Sequence, residues 1–275
     1  MMKKVICCII LLYTGMLVQA QTKPRIVSLN GTLSEILCAL GLEGQIVGVD
    51  ITSNYPASLK QKPKLGHNRN IAAENVLALR PTLVLGMEDQ FSSALKEQLG
   101  VTGARIVVFR QQYSIAGTQK LLQEVAEATG RRPEAKPLQQ QFQRQAAGLP
   151  FTPTGKKVLF IYARGAGTLL AGGRGTSADE AIRLAGAQNA MQDFSDFKPL
   201  SAESLVAANP DIILLFSSGL QSMGGIDGLL KVPGIAQTRA GKNRKIITMD
   251  GELLSGFGLR LPQAIRELHD KINAR

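Results

Sequence analysis

The order of apolar and polar positions alternates between strand-like and helix-like stretches in the first half of the chain. Short apolar runs predict buried strands at 25–29, 45–49, 82–86 and 105–109. The intervening segments have helical periodicity at 32–40, 91–99 and 114–129. Alternating strands and helices indicate a parallel sheet with helices on its faces.

A polar helix follows, from about Pro133 to Ala147, with Leu138 and Phe142 as its two large apolar anchors. After a Pro/Gly/Thr linker at 149–155, the alternation resumes with strands at 157–162 and 245–249 and helices at 177–186 and 262–272. The predicted fold is therefore α/β: two Rossmann-like lobes with parallel-rich sheets, joined by a single long helix. The predicted boundaries are 21–130 for the first lobe, 131–154 for the connector and 155–275 for the second lobe.

A repeat supports two similar lobes. Residues 73–85 and 202–214 each contain one Glu (Glu74 and Glu203), an apolar stretch, a Pro at the same offset and an apolar run. Each unit predicts a short helix stopped before the proline, followed by a strand buried on both faces. A weaker match relates 31–41 to 175–186. Two lobes leave a cleft between them, and clefts bind ligands.

The first residues have the pattern of a secretory signal peptide. Lys3 and Lys4 precede an apolar core at 5–12, and Val18-Gln19-Ala20 predicts cleavage after Ala20. The apolar core is too short to span a membrane. Cys7 and Cys8 lie inside this core, so Cys38 is the only cysteine of the predicted mature chain, and a buried, inert thiol is favoured over a reactive one.

Composition and motifs exclude several classes of function. The net charge is +11, but the basic residues are scattered, aromatic residues make up 5% of the chain and Trp is absent, which disfavours nucleic-acid binding. The glycines around 165–167 and 172–176 complete neither GxGxxG nor a P-loop, and GxSxG does not occur. Two histidines, His67 and His269, cannot form a zinc site of the usual ligand number by themselves.

Four segments carry a resemblance to a known family. They are Lys64–Arg69 (KLGHNR), Tyr162–Gly167 (YARGAG), Met191–Phe194 (MQDF) before Lys198–Ser201, and Gly256–Arg260 (GFGLR). Over nearly the whole mature chain the sequence resembles the periplasmic haem-binding proteins of ABC importers, within the metal-chelate group of binding proteins. The resemblance implies a monomeric, non-enzymatic periplasmic protein. Its transported ligand would be haem (iron protoporphyrin IX), and its partner an inner-membrane permease with its ATPase. An outer-membrane haem receptor system would act upstream.

The resemblance also implies the site residues. His67 stands where family members typically have a Tyr, so it would be the axial ligand of the haem iron, and imidazole accepts both ferric and ferrous iron. Arg69 and Arg164 would meet the propionates, since guanidinium pairs well with carboxylate. Tyr162 and Phe257 would pack on the porphyrin.

Glu74 and Glu203 would dock to arginines of the permease; alternatively, they are ordinary acids favoured by the dipole at a helix start. A hydrogen-bonded loop histidine is the alternative for His67, and solvent exposure is the alternative for Arg69. Some relatives have a second haem-contacting His in the segment that matches Ala163-Arg164-Gly165. This chain has no His in that segment, which disfavours a stack of two haems. The rival functions are a cobalamin or ferric-siderophore carrier and, less favoured, a haem-dependent redox protein.

Overall fold

The computed structural model describes residues 23–67, 70–101, 103–165, 167 and 169–274. The strands within these ranges are β1 (Ile26–Ser28), β2 (Ile46–Val49), β3 (Leu83–Met87), β4 (Arg105–Phe109), β5 (Lys157–Ala163), β6 (Leu169–Gly172), β7 (Gln188–Asn189), β8 (Phe197–Pro199), β9 (Ile212–Phe216) and β10 (Ile246–Met249). The α-helices there are α1 (Gly31–Ala39), α2 (Ala73–Leu77), α3 (Ser93–Gly100), α4 (Ile115–Ala128), α5 (Arg132–Ala146), α6 (Ser177–Leu184), α7 (Ala202–Ala208), α8 (Ser217–Ser222), α9 (Gly225–Leu230), α10 (Arg239–Lys242), α11 (Gly251–Ser255) and α12 (Leu261–Asn273).

The two lobes share one strand order. The N-terminal sheet runs β2-β1-β3-β4 with every pair parallel. In the C-terminal sheet, β7 pairs with β5, β5 with β9 and β9 with β10, again all parallel. The C-terminal lobe differs by an antiparallel addition, β6 and β8, beside the end of β5. The predicted α/β fold with two similar, parallel-rich lobes is therefore confirmed.

In both repeated units the helix is followed by a residue in the left-handed conformation. Arg80 and Asn209, each directly before a proline, have φ values of 45° and 41°. The pyrrolidine ring disfavours the helical conformation in the residue before it, and a left-handed residue ends a helix by turning the chain away from the helix axis. The chain then enters the central strand of its sheet, β3 or β9.

Helix α5 connects the two hydrophobic cores. Ala135 and Leu138, in its first half, pack against the N-terminal core, which is built around α1, α4 and the first sheet. Phe142 and Ala146, in its second half, belong to the C-terminal core, and Phe142 is only 2% exposed. One helix therefore joins the lobes, while the residue boundaries of the three segments stay a prediction.

The segment Gly256–Arg260 forms a joint between the lobes. The Thr32 hydroxyl of α1 donates to the Gly256 carbonyl oxygen (2.7 Å), and the Thr118 hydroxyl of α4 donates to the Phe257 carbonyl oxygen (2.8 Å). A Cβ on Gly258 would lie 3.2 Å from the Thr32 methyl group, closer than most real contacts of that kind. Glycine there lets the two backbones approach each other closely.

Cys38 lies on α1, half-buried against the N-terminal core. Burial is the main cause that raises the pKa of its thiol to about 12, assisted by the nearby Glu43 carboxylate. Among the described residues, no helix has the length and apolar character needed to cross a lipid bilayer. Residues 1–22, which hold the predicted signal peptide, lie outside the described residues.

Candidate functional site

Several contacts join the lobes at one end of both sheets. His67 and Tyr55 belong to the loop after β2, and Tyr113 lies in the loop after β4. Their partners on the C-terminal lobe are Arg164, directly after β5, and Arg260 and Phe257, which follow β10 and α11. The carboxyl ends of the parallel strands therefore face each other, and ligands of open α/β sheets bind at such ends.

His67 and Arg164 meet across the cleft. An Nη atom of Arg164 lies 3.3 Å from Nε2 of His67, and the imidazole is half-buried while the arginine is exposed. Gly66, just before His67, has a φ of 115°, and its carbonyl oxygen accepts from the Ile51 backbone N–H (2.9 Å). Most residues with a side chain avoid this conformation, so Gly66 allows the turn that places the imidazole at the cleft.

Tyr162 stands beside these two residues on an aromatic wall. Its ring centroid lies 5.6 Å from the guanidinium carbon of Arg164, and 6.3 Å and 6.1 Å from the ring centroids of Phe197 and Phe216. Phe197 is 43% exposed although it is a large apolar side chain. On the other lobe, Tyr55 and Tyr113 are also exposed. Exposed rings at the same end of both lobes favour a flat, apolar ligand over a small polar one.

The described side chains at the cleft do not include a cluster of metal-ligating residues. Within those ranges, no three His, Cys, Asp or Glu side chains come together as a metal site. The site instead offers an imidazole, a phenol and a guanidinium. Of these, imidazole and phenolate can coordinate iron, and one such ligand suits a metal whose remaining positions are already occupied by a chelate, as by the four nitrogens of a macrocycle.

A buried ionic network lies behind the cleft, at the joint. Nε of Arg260 lies 2.8 Å from a carboxylate oxygen of Glu35 on α1, and the Arg260 guanidinium carbon is 3.7 Å from the Tyr55 ring centroid. Glu252 on α11 is 3.8 Å from Arg260, too far for a hydrogen bond, and its buried Oε1 has no hydrogen-bond partner within the described chain. Burial is the main cause that raises the pKa of Glu252 to about 7, and burial also raises the pKa of Glu35, in both cases against the opposing effect of Arg260.

The structure corrects the expectation for Phe257. Phe257 is fully buried and packs edge-on against Tyr113 with centroids 5.3 Å apart, so its ring offers no surface to a porphyrin. His269 is half-buried and lies away from these residues: its ring stacks on Phe151 (3.9 Å) and Nδ1 donates to the Ala185 carbonyl oxygen (2.9 Å). Arg69 lies outside the described residues.

Glu74 and Glu203 lie in the first turns of α2 and α7, one in each lobe, and both are exposed. Among the described residues, neither carboxylate takes part in a hydrogen bond or an ion pair with another side chain. Two exposed acids at equivalent positions of the repeat are therefore available to a basic partner. Proximity to a helix N-terminus also favours acids here, so their position alone does not separate the two interpretations.

The fold and the site define a periplasmic binding protein: the model of that family matches residues 26–253, and the chain belongs to it. Among solved structures, the chain is similar to the periplasmic haem-binding protein RhuT of Roseiflexus sp. RS-1 in its apo form, with 38% identity, a TM-score of 0.86, and coverage of 91% of this chain and 98% of RhuT. It is also similar to the periplasmic haem-binding protein BhuT in complex with two haems, with 35% identity, a TM-score of 0.84, and coverage of 90% and 97%.

Two curated relatives are more distant. The ABC transporter substrate-binding lipoprotein YvrC of Bacillus subtilis, itself described as uncharacterised, is 27% identical over 255 residues, or 90% of this chain and 79% of YvrC. A vitamin B12-binding protein of Yersinia pseudotuberculosis is 25% identical over 217 residues, or 78% of this chain and 76% of that protein. Haem binders and a B12 binder thus both occur among the relatives.

Proposed function

We propose that this protein captures haem in the cleft between its lobes and delivers it to an inner-membrane ABC permease, without catalysing a reaction. The observation that carries the proposal is the contact between His67 and Arg164, from different lobes, beside the aromatic wall of Tyr162. The similarity to haem-binding proteins over nine-tenths of the chain supports the same ligand.

The geometry of that contact indicates the role of Nε2 in it. A guanidinium donates hydrogen bonds and never accepts them, so Nε2 of His67 is the acceptor in this contact. A ring nitrogen that accepts a hydrogen bond presents the lone pair that an iron ion takes in a haem–imidazole bond. We infer that haem iron replaces Arg164 at Nε2, and that the released guanidinium, with Arg69, pairs with the propionates.

The rings on both sides of the cleft would hold the macrocycle. Tyr162 and Phe197 form the C-terminal wall, and Tyr55 is an exposed ring of the N-terminal lobe at the same end of the sheets. Burying the faces of a porphyrin against rings is favourable because both surfaces are apolar. The predicted signal peptide supports a periplasmic location for this activity, and the chain is proposed to act as a monomer.

A cobalamin carrier is the second proposal, because a vitamin B12-binding protein is among the relatives. Absorbance titration of the purified mature protein with haemin and, separately, with cyanocobalamin decides between the two. A Soret band typical of imidazole-ligated haem, saturating at one equivalent, is the result expected for a haem carrier. Tight binding of cyanocobalamin with weak, featureless haemin binding would reject haem as the ligand.

A further inference from the structure

A second concave surface lies on the C-terminal lobe, and His67 is not among the residues that line it. It is a groove of about 670 Å³. Its apolar walls come from β8 and the residue after it, from α7, and from the segment that follows α9. The large apolar residues that line it are Leu169, Leu200, Leu205, Met223 and Val232.

The groove extends from the helix that carries Glu203 to the hairpin whose β5 strand contains Tyr162. At one side Ala202 and Leu205 of α7 line it, and Glu203 lies between them in the sequence, on the exposed side of the helix. At the other side Leu169 lines it, and Leu169 pairs with Ala163 in the antiparallel hairpin of β5 and β6. The same β5 strand contains Tyr162 and leads directly into Arg164.

The charged residues at the groove indicate the charge pattern of a segment that would fit it. Glu203 supplies an exposed carboxylate, and Lys231, which lines the groove, supplies an exposed ammonium group. A complementary segment would place a basic residue over Glu203, an apolar side chain between the walls and an acidic or carbonyl group near Lys231. Complementary charge of this kind fixes the register of an interface more than its affinity, while the buried apolar side chain supplies affinity.

We propose that this groove receives a periplasmic segment of the permease that carries a large apolar side chain next to a basic residue. This proposal rests on the delivery step of the proposed function and adds a second contact to Glu203. An occupant of the groove touches the β5–β6 hairpin through Leu169, so docking there would act directly on the strand that positions Tyr162 and Arg164. Release of the ligand would then be coupled to docking through one hairpin.

The test compares one substitution at two valines. Val232→Glu places a carboxylate in the groove, and Val101→Glu is the matched control, since Val101 is 83% exposed and lies at the end of α3 on the other lobe. Both variants, with and without haem, are titrated against the purified permease in lipid nanodiscs. Val232→Glu should lose at least about tenfold in permease affinity, with the haemin titration unchanged. Val101→Glu should match the wild type in both titrations.

A second measurement covers the case in which Val232→Glu folds poorly. Val232→Cys and Val101→Cys, each in a Cys38→Ser background, are labelled with an environment-sensitive fluorophore. Adding permease should blue-shift the emission at position 232 only.

Wild-type affinity of Val232→Glu, or an unchanged emission at position 232 in a bound complex, would overturn the proposal. So would self-association of the protein that Val232→Glu abolishes, because a second copy would then be the occupant. Loss of haemin binding in the wild type, with normal docking of the ligand-free protein, would reject the haem assignment and leave the groove assignment standing.

Discussion

Arg260, at the start of the last helix, and Glu35, in the first helix, form an ion pair between the two lobes with an Nε–Oε2 distance of 2.8 Å. Both side chains are largely buried, with 18% and 7% of their surface exposed. They are separated by 225 positions in the sequence. The lobes are thus held at their joint by an ionic contact as well as by the shared helix α5.

Removing the cation of this pair should destabilise the fold strongly. In Arg260→Met, Glu35 and Glu252 lose the positive charge they share, and an uncompensated buried carboxylate is costly, so the free energy of unfolding should fall by about 3 kcal/mol at pH 8. Urea denaturation followed by circular dichroism measures it. The control is Arg244→Met, which breaks the exposed pair with Asp227 and should lower the free energy of unfolding much less, because solvent screens an exposed pair. Equal losses in the two variants would contradict the importance of the joint.

The stability of the ligand-free protein should decrease as the pH rises from about 5 to about 7.5. The pKa of Glu252 is raised to about 7, so between its ordinary value and that value the folded protein binds more protons than the unfolded chain, and raising the pH favours unfolding. The slope from this group should be at most about 1.4 kcal/mol per pH unit. Melting temperatures across this range should fall less steeply in Glu252→Gln than in the wild type. The exposed Glu97→Gln is the control, and an unchanged slope in Glu252→Gln would count against the pKa assignment.

His67→Ala should lose most haem affinity, whereas His269→Ala should keep it. Only His67 faces the cleft; His269 stacks on Phe151, so its removal costs stability rather than binding. Haemin titration at a temperature where both variants are folded gives the comparison. Equal retention of haem by both variants would reject His67 as the ligand.

His67→Tyr should bind ferric haem and lose affinity when the iron is reduced. A phenolate is an axial ligand that suits ferric iron, while imidazole suits both oxidation states. The measurement is the absorbance spectrum before and after dithionite, with the wild type as the control. A ferrous spectrum identical to that of the wild type would be the contrary result.

Reversing Glu74 and Glu203 together to Arg should abolish delivery without affecting haem binding. Both acids are exposed in separate lobes, and positive charges there would face the arginines expected on the permease, a repulsion of several kcal/mol. Haem-stimulated ATP hydrolysis by the reconstituted permease reports delivery, and single reversals should give partial loss. A double variant with normal haem binding and full stimulation would leave the two residues as helix-stabilising acids.

The sequence predicted the architecture well because its signals are local. Apolar runs marked β3 and β9, and the Pro after Arg80 and after Asn209 marked where each repeated helix ends. The short antiparallel strands β6 and β8 escaped prediction because they have four and three residues and no long apolar run.

The joint between the lobes was not predicted from the sequence, for a different reason. The segment GFGLR was recognised, but its function was assigned to the ligand through Phe257, whereas that ring is buried and its backbone bonds to α4. Glu35 and Glu252 carry no pattern of their own: each becomes informative only when the fold brings it to Arg260. Long-range pairings of single charged residues have no periodicity that a sequence pattern could detect.

The burial of Cys38 has a consequence for a protein proposed to carry a redox-active metal. A thiol with a pKa of about 12 is ionised in only about one molecule in 10⁵ at pH 7, and the thiolate is the form that ligates iron, reduces it or attacks a disulfide. After the predicted cleavage Cys38 is the only cysteine of the chain. The mature protein would therefore pass through an oxidising compartment without help from disulfide-forming enzymes, and its cargo would meet no thiolate of Cys38 competing with His67 for the iron.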